Sequence, residues 1–188
     1  MSKIAIDVAL LPPKGVMDRV IYLNQTFGPK VDLNATDRLP HITLSQAVIE
    51  IDDLEKAKAR LTDLAKKFSP MDLEAKIVNN PDSFFRISPR DVVLKLHEAV
   101  MASLKDLVSY DAKAEYFLDD EVRDGSLGWV SNFPRDGAFD KFDPHISIAA
   151  EAKIEDENLI KFTADRLTIC HLGNFNTCRK ILYETKLA

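Results

Sequence analysis

Two tetrapeptides of the same pattern constrain the fold of this chain more than any other feature of its sequence. His41-Ile42-Thr43-Leu44 lies in the first quarter of the chain and His145-Ile146-Ser147-Ile148 in the last, and each follows a proline. Alternate side chains of a β-strand point to the same face, so each motif puts a histidine and a hydroxyl on one face and two apolar side chains on the other. The chain must therefore bury two apolar strand faces while two imidazole–hydroxyl pairs point away from the core.

The duplication favours a functional role for these residues. Two of the four histidines in the chain occupy the pattern. One histidine-x-threonine occurs by chance in most proteins of this size, and a lone strand histidine is more often a hydrogen-bonded structural residue. Because the proline, the apolar spacing and the hydroxyl all recur, the pair indicates a site where two imidazoles act as acid and base. Two hydroxyls beside them can hold an oxyanion such as a phosphate.

The two motifs resemble those of the 2H phosphoesterase superfamily, which includes 2′-5′ RNA ligase-like proteins and 2′,3′-cyclic nucleotide phosphodiesterases. That superfamily is recognised by two His-x-Thr/Ser-x motifs, and the second one here has serine where threonine is commoner. The resemblance implies an α+β fold with two pseudo-symmetric lobes, antiparallel sheets lining a central cleft and helices outside. It also implies that the catalytic residues are His41, Thr43, His145 and Ser147.

Length and composition predict one soluble globular domain. Residues 1–188 can form a single bilobal domain, with 46% apolar and 29% charged residues. The sequence contains no apolar run near the ~18–20 residues that span a bilayer, and its first residues lack the apolar segment of a signal peptide. We therefore expect no membrane association and a cytoplasmic location. Cys170 and Cys178 lie on either side of a predicted hairpin turn, where cysteines on neighbouring strands can form a bridge. In the expected compartment they are predicted to be free thiols.

The charge of the chain bears on its partners. A net charge of −5 disfavours binding to extended duplex nucleic acid, whose affinity depends on basic surfaces. A small nucleotide or a short RNA is the expected substrate, while the sequence leaves the oligomeric state open. Cys170, His171 and Cys178 do not have the spacing of a zinc site. We predict no metal and no cofactor.

Hydrophobic periodicity predicts the following elements. Strands are expected at 4–10, 41–48, 71–78, 83–87, 145–149, 167–172 and 179–187, and helices at 16–27, 52–68, 93–107 and 155–162. His97 falls in the third helix and His171 in a late strand, and both are expected to be structural.

Residues 111–142 show no regular pattern and are predicted to form an irregular loop or lid. A structureless segment of this length is often functional. It contains Trp129, Phe133 and Arg135. An aromatic ring beside an arginine can stack a base and pair a phosphate, so Trp129 and Phe133 are candidate substrate-binding residues. The alternative is that both rings anchor the loop on the core.

These features predict a metal-independent phosphodiesterase that acts on a 2′,3′-cyclic phosphate or a related 2′-linked RNA or oligonucleotide. The reaction could run in reverse as 2′-5′ RNA ligation. His41 is assigned as the acid and His145 as the base. One alternative is a non-catalytic RNA- or cyclic-nucleotide-binding module. Another is a metal site made by His41 and His145, which lacks an evident third ligand.

Overall fold

The first sheet is built around a strand that is buried on both faces. The computed structural model describes residues 2–80, 82–156 and 158–188, and β1 (Lys3–Leu11) is buried from Ala5 to Leu11. Apolar side chains on both faces suit a central strand. The other strands of this sheet are β2 (Ile42–Glu50), β5 (Val108–Ser109), β8 (Arg166–Leu172) and β9 (Cys178–Lys186). The strand order is β5-β2-β1-β8-β9, and the sheet is antiparallel throughout.

The second sheet contains the other motif strand. Its strands are β3 (Met71–Asn79), β4 (Ser83–Ser88), β6 (His145–Ser147) and β7 (Ile160–Ala164). They have the order β6-β4-β3-β7 and are also antiparallel. His41 directly precedes β2, which contains the rest of the first motif, and β6 contains the first three residues of the second, so each sheet supplies one motif.

Three of the helices match the sequence prediction. α1 (Lys14–Thr26) starts directly after Pro12-Pro13, whose fixed φ suits a helix entrance. α2 (Leu54–Ala65) and α3 (Arg90–Leu104) each bury one apolar stripe at helical spacing. Residues of all three helices and of both sheets share one large core. Among the described residues, none of the helices is long and apolar enough to cross a membrane.

The motif strands face the core as the sequence predicts. Ile42, Leu44, Ile146 and Ile148 are fully buried in the large core. The histidines and hydroxyls alternate with them and lie on the opposite face. The predicted α+β class, with two antiparallel sheets and helices packed on them, is confirmed.

The predicted irregular segment at 111–142 is wrong in its centre, where a fourth helix, α4 (Asp124–Asp136), forms. Gly125, Gly128 and Pro134 lower its intrinsic helix propensity and hide it from a sequence reading. Tertiary packing compensates, because Val130 and Phe133 are buried. The segment is therefore an ordered element with short connections.

The predicted helix at 155–162 is also wrong. The described residues of that range contain no helix, and Glu157 lies outside them. β7 begins at Ile160 and buries alternate residues, Phe162 and Ala164, beside β3. The segment thus follows the two-residue period of a strand.

The prediction of free thiols is wrong as well, because Cys170 and Cys178 form a disulfide. Leu172 on β8 pairs with Cys178 on β9, and Cys170 lies two residues back on the same face. The two Cα atoms are 5.4 Å apart, a usual separation for a disulfide. The predicted hairpin allowed this bridge, but the expected compartment decided the prediction in favour of free thiols.

Candidate active site

Both motifs line one cavity of about 350 Å³. This volume is within the usual range of small-molecule sites. His41 and Thr43 enter it from the start of β2, and His145 and Ser147 enter it from β6. The cavity therefore brings all four predicted catalytic residues together. Its lining also includes Gln46, Arg123, Trp129, Phe133, Lys141, Asp143, Phe175, Asn176 and Thr177.

The two ring nitrogens of His41 have different neighbours, a hydrogen-bond acceptor at Nδ1 and a carboxylate at ion-pair distance from Nε2. Nδ1 lies 2.7 Å from the carbonyl oxygen of Leu39, and Nε2 lies 3.3 Å from Oδ2 of Asp7. The Leu39 carbonyl accepts from Nδ1, and the carboxylate of Asp7 beside Nε2 favours the imidazolium form of the ring. The side chain is 16% exposed and stays accessible from the cavity.

Asp7 is the charged centre beneath the first motif. It lies on β1 and is fully buried. Besides facing His41, its Oδ2 accepts the Thr43 hydroxyl at 2.8 Å and the Gln46 side-chain amide at 2.7 Å. A buried carboxylate needs such partners, because an uncompensated charge in the core is very costly.

Asp7 decides the protonation tendency of His41. Burial by itself would lower the pKa of His41, because it disfavours the charged ring. The hydrogen bond to Asp7, its negative charge and the Leu39 carbonyl act in the opposite direction and outweigh burial. The pKa of His41 is thus raised above its ordinary value of 6.5.

His145 is held differently. Its Nδ1 lies 2.7 Å from the carbonyl oxygen of Asp143, so Nδ1 carries a proton. Within the described residues Nε2 has no hydrogen-bond partner, and in the neutral ring it keeps a free lone pair. The ring of Phe84 packs edge-on at a centroid distance of 5.3 Å. His145 is therefore arranged to accept a proton from a group in the cavity.

The two hydroxyls also differ. The Thr43 hydroxyl has one proton, which goes to Asp7. The expectation that Thr43 donates to a bound oxyanion therefore does not match the hydrogen bond in this structure. Ser147 is exposed to the cavity, so its hydroxyl can donate. The two motifs are similar in sequence, but their hydroxyl groups differ in whether they can donate to a bound phosphate.

His97 supports both motifs from behind. Val8 pairs with Ser45 and Ala9 with Thr43, which makes Leu44 the extra residue of a β-bulge. Nε2 of His97 accepts the Phe139 N–H at 2.9 Å, and Nδ1 donates to the Leu44 carbonyl at 2.6 Å. Burial lowers the pKa of this ring and keeps it neutral. His97 thus ties the first motif strand to the turn that precedes the second.

The candidate substrate-binding residues have separate positions. Trp129 is 39% exposed and lines the cavity. Phe133 is only 2% exposed and packs with Met101 and Ala138, so it anchors α4 and supports Trp129 from below. Arg135 pairs with Asp136 and is not among the residues that line the cavity.

Sequence reasoning missed Asp7, Arg123, Lys141 and Phe175. The signal for Asp7 in the sequence was an isolated aspartate in an apolar alternating strand. Its role could not be predicted because its partners come from β2, which pairs with β1 only in the folded sheet. The other three lie in connections whose closeness to the motifs depends on the tertiary fold. No group of three His, Cys, Asp or Glu side chains able to hold a metal is found in the described ranges.

Solved structures share this architecture at low sequence identity. TT0787 of Thermus thermophilus superposes with a TM-score of 0.59 and 14% identity, covering 98% of both chains. Escherichia coli LigT complexed with NADP+ gives a TM-score of 0.57 and 14% identity, covering 99% of both. This chain has the fold of LigT. LigT complexed with 3′-AMP gives 0.56 and 12% identity, covering 100% of this chain and 99% of LigT.

The LigT fold confirms, at the level of architecture, the resemblance first seen in the two motifs. Neither a protein-family model nor a curated protein sequence matches the chain. At this identity the likeness to LigT establishes the fold, and the chemistry must be argued from the cavity itself.

Proposed function

We propose that this chain is a metal-independent phosphodiesterase of the 2H type that opens 2′,3′-cyclic phosphates by two-histidine acid–base catalysis. The observation that carries the proposal is the unequal bonding of two imidazoles in one cavity. His41 has the carboxylate of Asp7 at 3.3 Å from its Nε2, whereas Nε2 of His145 has no such partner among the described residues. Such a hydrolysis requires an acid and a base, and both imidazoles line the same cavity.

The roles follow from those partners. Water attacks the phosphorus while Nε2 of His145 takes its proton. The bond from phosphorus to one ribose oxygen breaks, and that oxygen takes the proton from Nε2 of His41. The product is a ring-opened monophosphate, and the same step with a 5′-hydroxyl in place of water as the nucleophile would join a 2′-5′ linkage. Imidazole suits both steps because its charged and neutral forms are both accessible near neutral pH.

Ser147 and Lys141 are placed to stabilise the negative charge that develops on the non-bridging oxygens of the phosphate. Ser147 is exposed to the cavity beside His145, and Lys141 adds a positive charge to the same lining. Donors aimed at such oxygens stabilise the transition state more than the ground state. Thr43 acts indirectly by holding Asp7 in place under His41. Proton transfer and these donors cover the chemistry, so the proposal assigns no step to a metal.

A nucleotide is the expected occupant of the cavity. The exposed face of Trp129 can stack a base. LigT, whose fold this chain shares, has been solved with 3′-AMP and with NADP+. These two observations support a nucleotide-sized phosphate ester in this chain.

The test is turnover of the four 2′,3′-cyclic mononucleotides in EDTA by wild type, His41→Ala and His145→Ala. Each proton transfer contributes ~10²–10⁴-fold, so each variant should lose that much in kcat. His171→Gln is the matched control, because His171 bonds the Tyr116 carbonyl and does not line the cavity. Equal activity in wild type and in both alanine variants would refute the proposal.

The alternative is a binding module that kept the cleft and lost turnover. Titration of wild type with 3′-AMP, followed through Trp129 fluorescence, separates the two functions. Binding of 3′-AMP without hydrolysis of any cyclic phosphate, 2′-5′ oligonucleotide or cyclic dinucleotide would show that the chain is a binding module and not an enzyme.

A further inference from the structure

The lining of the cavity that contains the histidines also includes two exposed aromatic side chains. Phe175 is 46% exposed, and Trp129 on α4 is 39% exposed. Leaving rings of this size in water forgoes the large stabilisation that their burial would give. Phe175 lies in the turn between β8 and β9, while Trp129 lies on a different element. The two rings therefore form separate platforms.

The backbone holds Phe175 in a conformation that bulky residues rarely adopt. Its φ is +58°, and the next residue, Asn176, has φ +54°. Positive φ in a bulky non-glycine residue is uncommon and clusters at ligand sites when the surroundings enforce it. The enforcing contacts are visible here: the Phe175 N–H donates to the hydroxyl of Ser126, which is fully buried.

Asn174 links the same turn to the start of α4. Its Oδ1 accepts the Arg123 N–H at 3.1 Å and the Ser126 hydroxyl at 3.3 Å. Its own N–H donates to Asp119 at 2.6 Å. The turn and the beginning of α4 thus form one hydrogen-bonded unit, which presents Phe175 and Arg123 to the cavity together.

Arg123 completes this unit. Its guanidinium carbon lies 4.4 Å from the centroid of the Phe175 ring, and the side chain lines the cavity. In the described part of the chain it forms no ion pair, so its N–H groups are available to an anion. Guanidinium groups suit phosphate because they donate two parallel hydrogen bonds. An exposed ring beside such a guanidinium matches a base with its adjoining phosphodiester.

We infer that Arg123 and Phe175 form a second nucleotide subsite, which gives an oligonucleotide with a 2′,3′-cyclic phosphate end an advantage over the mononucleotide. The inference rests on the proposed function for the reacting phosphate. Trp129 takes the terminal base, and Arg123 with Phe175 takes the preceding phosphodiester and base. Arg123 precedes the first turn of α4 and Trp129 lies further along the same helix, so the two platforms are offset and are assigned to successive nucleotides.

The experiment compares kcat/KM for adenosine 2′,3′-cyclic phosphate and for the dinucleotide ApA with a 2′,3′-cyclic phosphate end. Base stacking in single strands contributes ~5–150-fold per base, so wild type should prefer the dinucleotide by ~10-fold or more. Phe175→Ala and Arg123→Gln should each reduce this preference strongly. Tyr22→Ala should preserve it, because Tyr22 forms a similar pair with Arg19 on α1, outside the cavity.

A wild-type ratio near one overturns the second subsite even if a variant fails to fold, and turnover of the mononucleotide would still support the proposed function. If neither substrate is turned over, the proposed function fails, and the second subsite is then tested by measuring binding affinity. ApA with a 3′-phosphate should then bind more tightly than 3′-AMP, and Phe175→Ala should remove the excess. Equal affinities in wild type would overturn it.

Discussion

His41 and His145 share a tetrapeptide pattern, yet their rings meet different partners. Asp7 supplies a negative charge at 3.3 Å from Nε2 of His41, while Nε2 of His145 faces the cavity. One buried carboxylate therefore distinguishes two sites that the sequence presents as equivalent. Because Asp7 raises the pKa of His41, it keeps the proposed acid protonated at higher pH.

Asp7→Asn tests this charge while retaining an oxygen acceptor. Loss of the negative charge lowers the pKa of His41, so the alkaline limb of the kcat/KM–pH profile should move to lower pH. The other ionisable residues that line the cavity stay unchanged in the variant, namely Arg123, Lys141, Asp143 and His145. Asp18→Asn, which removes the same charge from the exposed face of α1, should leave the profile in place. An unmoved alkaline limb in Asp7→Asn would show that Asp7 does not control the acid.

The two hydroxyls allow a second test. Ser147→Ala should lower kcat by ~10²-fold, the usual cost of one donor to a developing oxyanion. Thr43→Val should cost less, because the Thr43 proton goes to Asp7 and Gln46 still donates to the same oxygen. Single-turnover rates for the two variants provide the comparison. A larger loss in Thr43→Val would mean that Thr43 changes partner and contacts the substrate directly.

At the scale of elements, the local sequence pattern predicted most of the helices and strands. It failed for segments whose conformation depends on contacts with residues distant in the sequence. The alternation in β1 and the stripes of α1 to α3 are properties of short segments, and these elements formed where expected. α4 contains two glycines and an internal proline, and its first turn is fastened by Asn174 from another loop. The four motif residues were likewise readable from sequence, whereas Asp7 needed the β1–β2 register.

The disulfide between β8 and β9 closes the turn that presents Phe175 to the cavity. Both cysteines are fully buried, and the sequence argument had favoured free thiols. Disulfides are rare in reducing compartments, so the cytoplasmic location stays a prediction.

Cys170→Ala/Cys178→Ala should lower the free energy of unfolding by about 2–3 kcal/mol, since a short cross-linked loop restricts the unfolded chain. Urea unfolding of wild type and the variant measures the difference. As a control, wild type unfolded without reductant should take up no alkylating reagent. Alkylation of both cysteines under those conditions would mean that the purified chain lacks the bond.

At the scale of the whole molecule, one core supports both motif strands, and His97 connects them. The ring of His97 joins the Leu44 carbonyl of the first sheet to the Phe139 N–H before β6, and it stacks on Phe142 with centroids 4.2 Å apart. Protonation would turn Nε2 into a donor facing another donor. These two hydrogen bonds therefore require the neutral ring of His97.

His97 should make the stability of the protein fall in acid. Burial lowers its pKa below the ordinary value of 6.5, against a weaker opposite effect of the Leu44 carbonyl, while Glu98 and Arg90 act in opposite directions. As pH falls below 6.5 the unfolded chain takes up the proton first, so this contribution to stability is complete above that pH and is lost as pH falls through the lowered pKa. His41, whose pKa is raised, has the opposite dependence, because its contribution is lost as pH rises.

His97→Gln separates the two effects. Glutamine does not titrate, and its amide can reach only part of the same geometry, so the variant should be less stable at neutral pH by about 1–3 kcal/mol. The deficit should shrink in acid, because wild type alone then loses the contribution of His97. Urea unfolding of both proteins from about pH 5 to about pH 8 measures this convergence. Parallel curves over that range would show that His97 is not the histidine that links folding of the two lobes to pH.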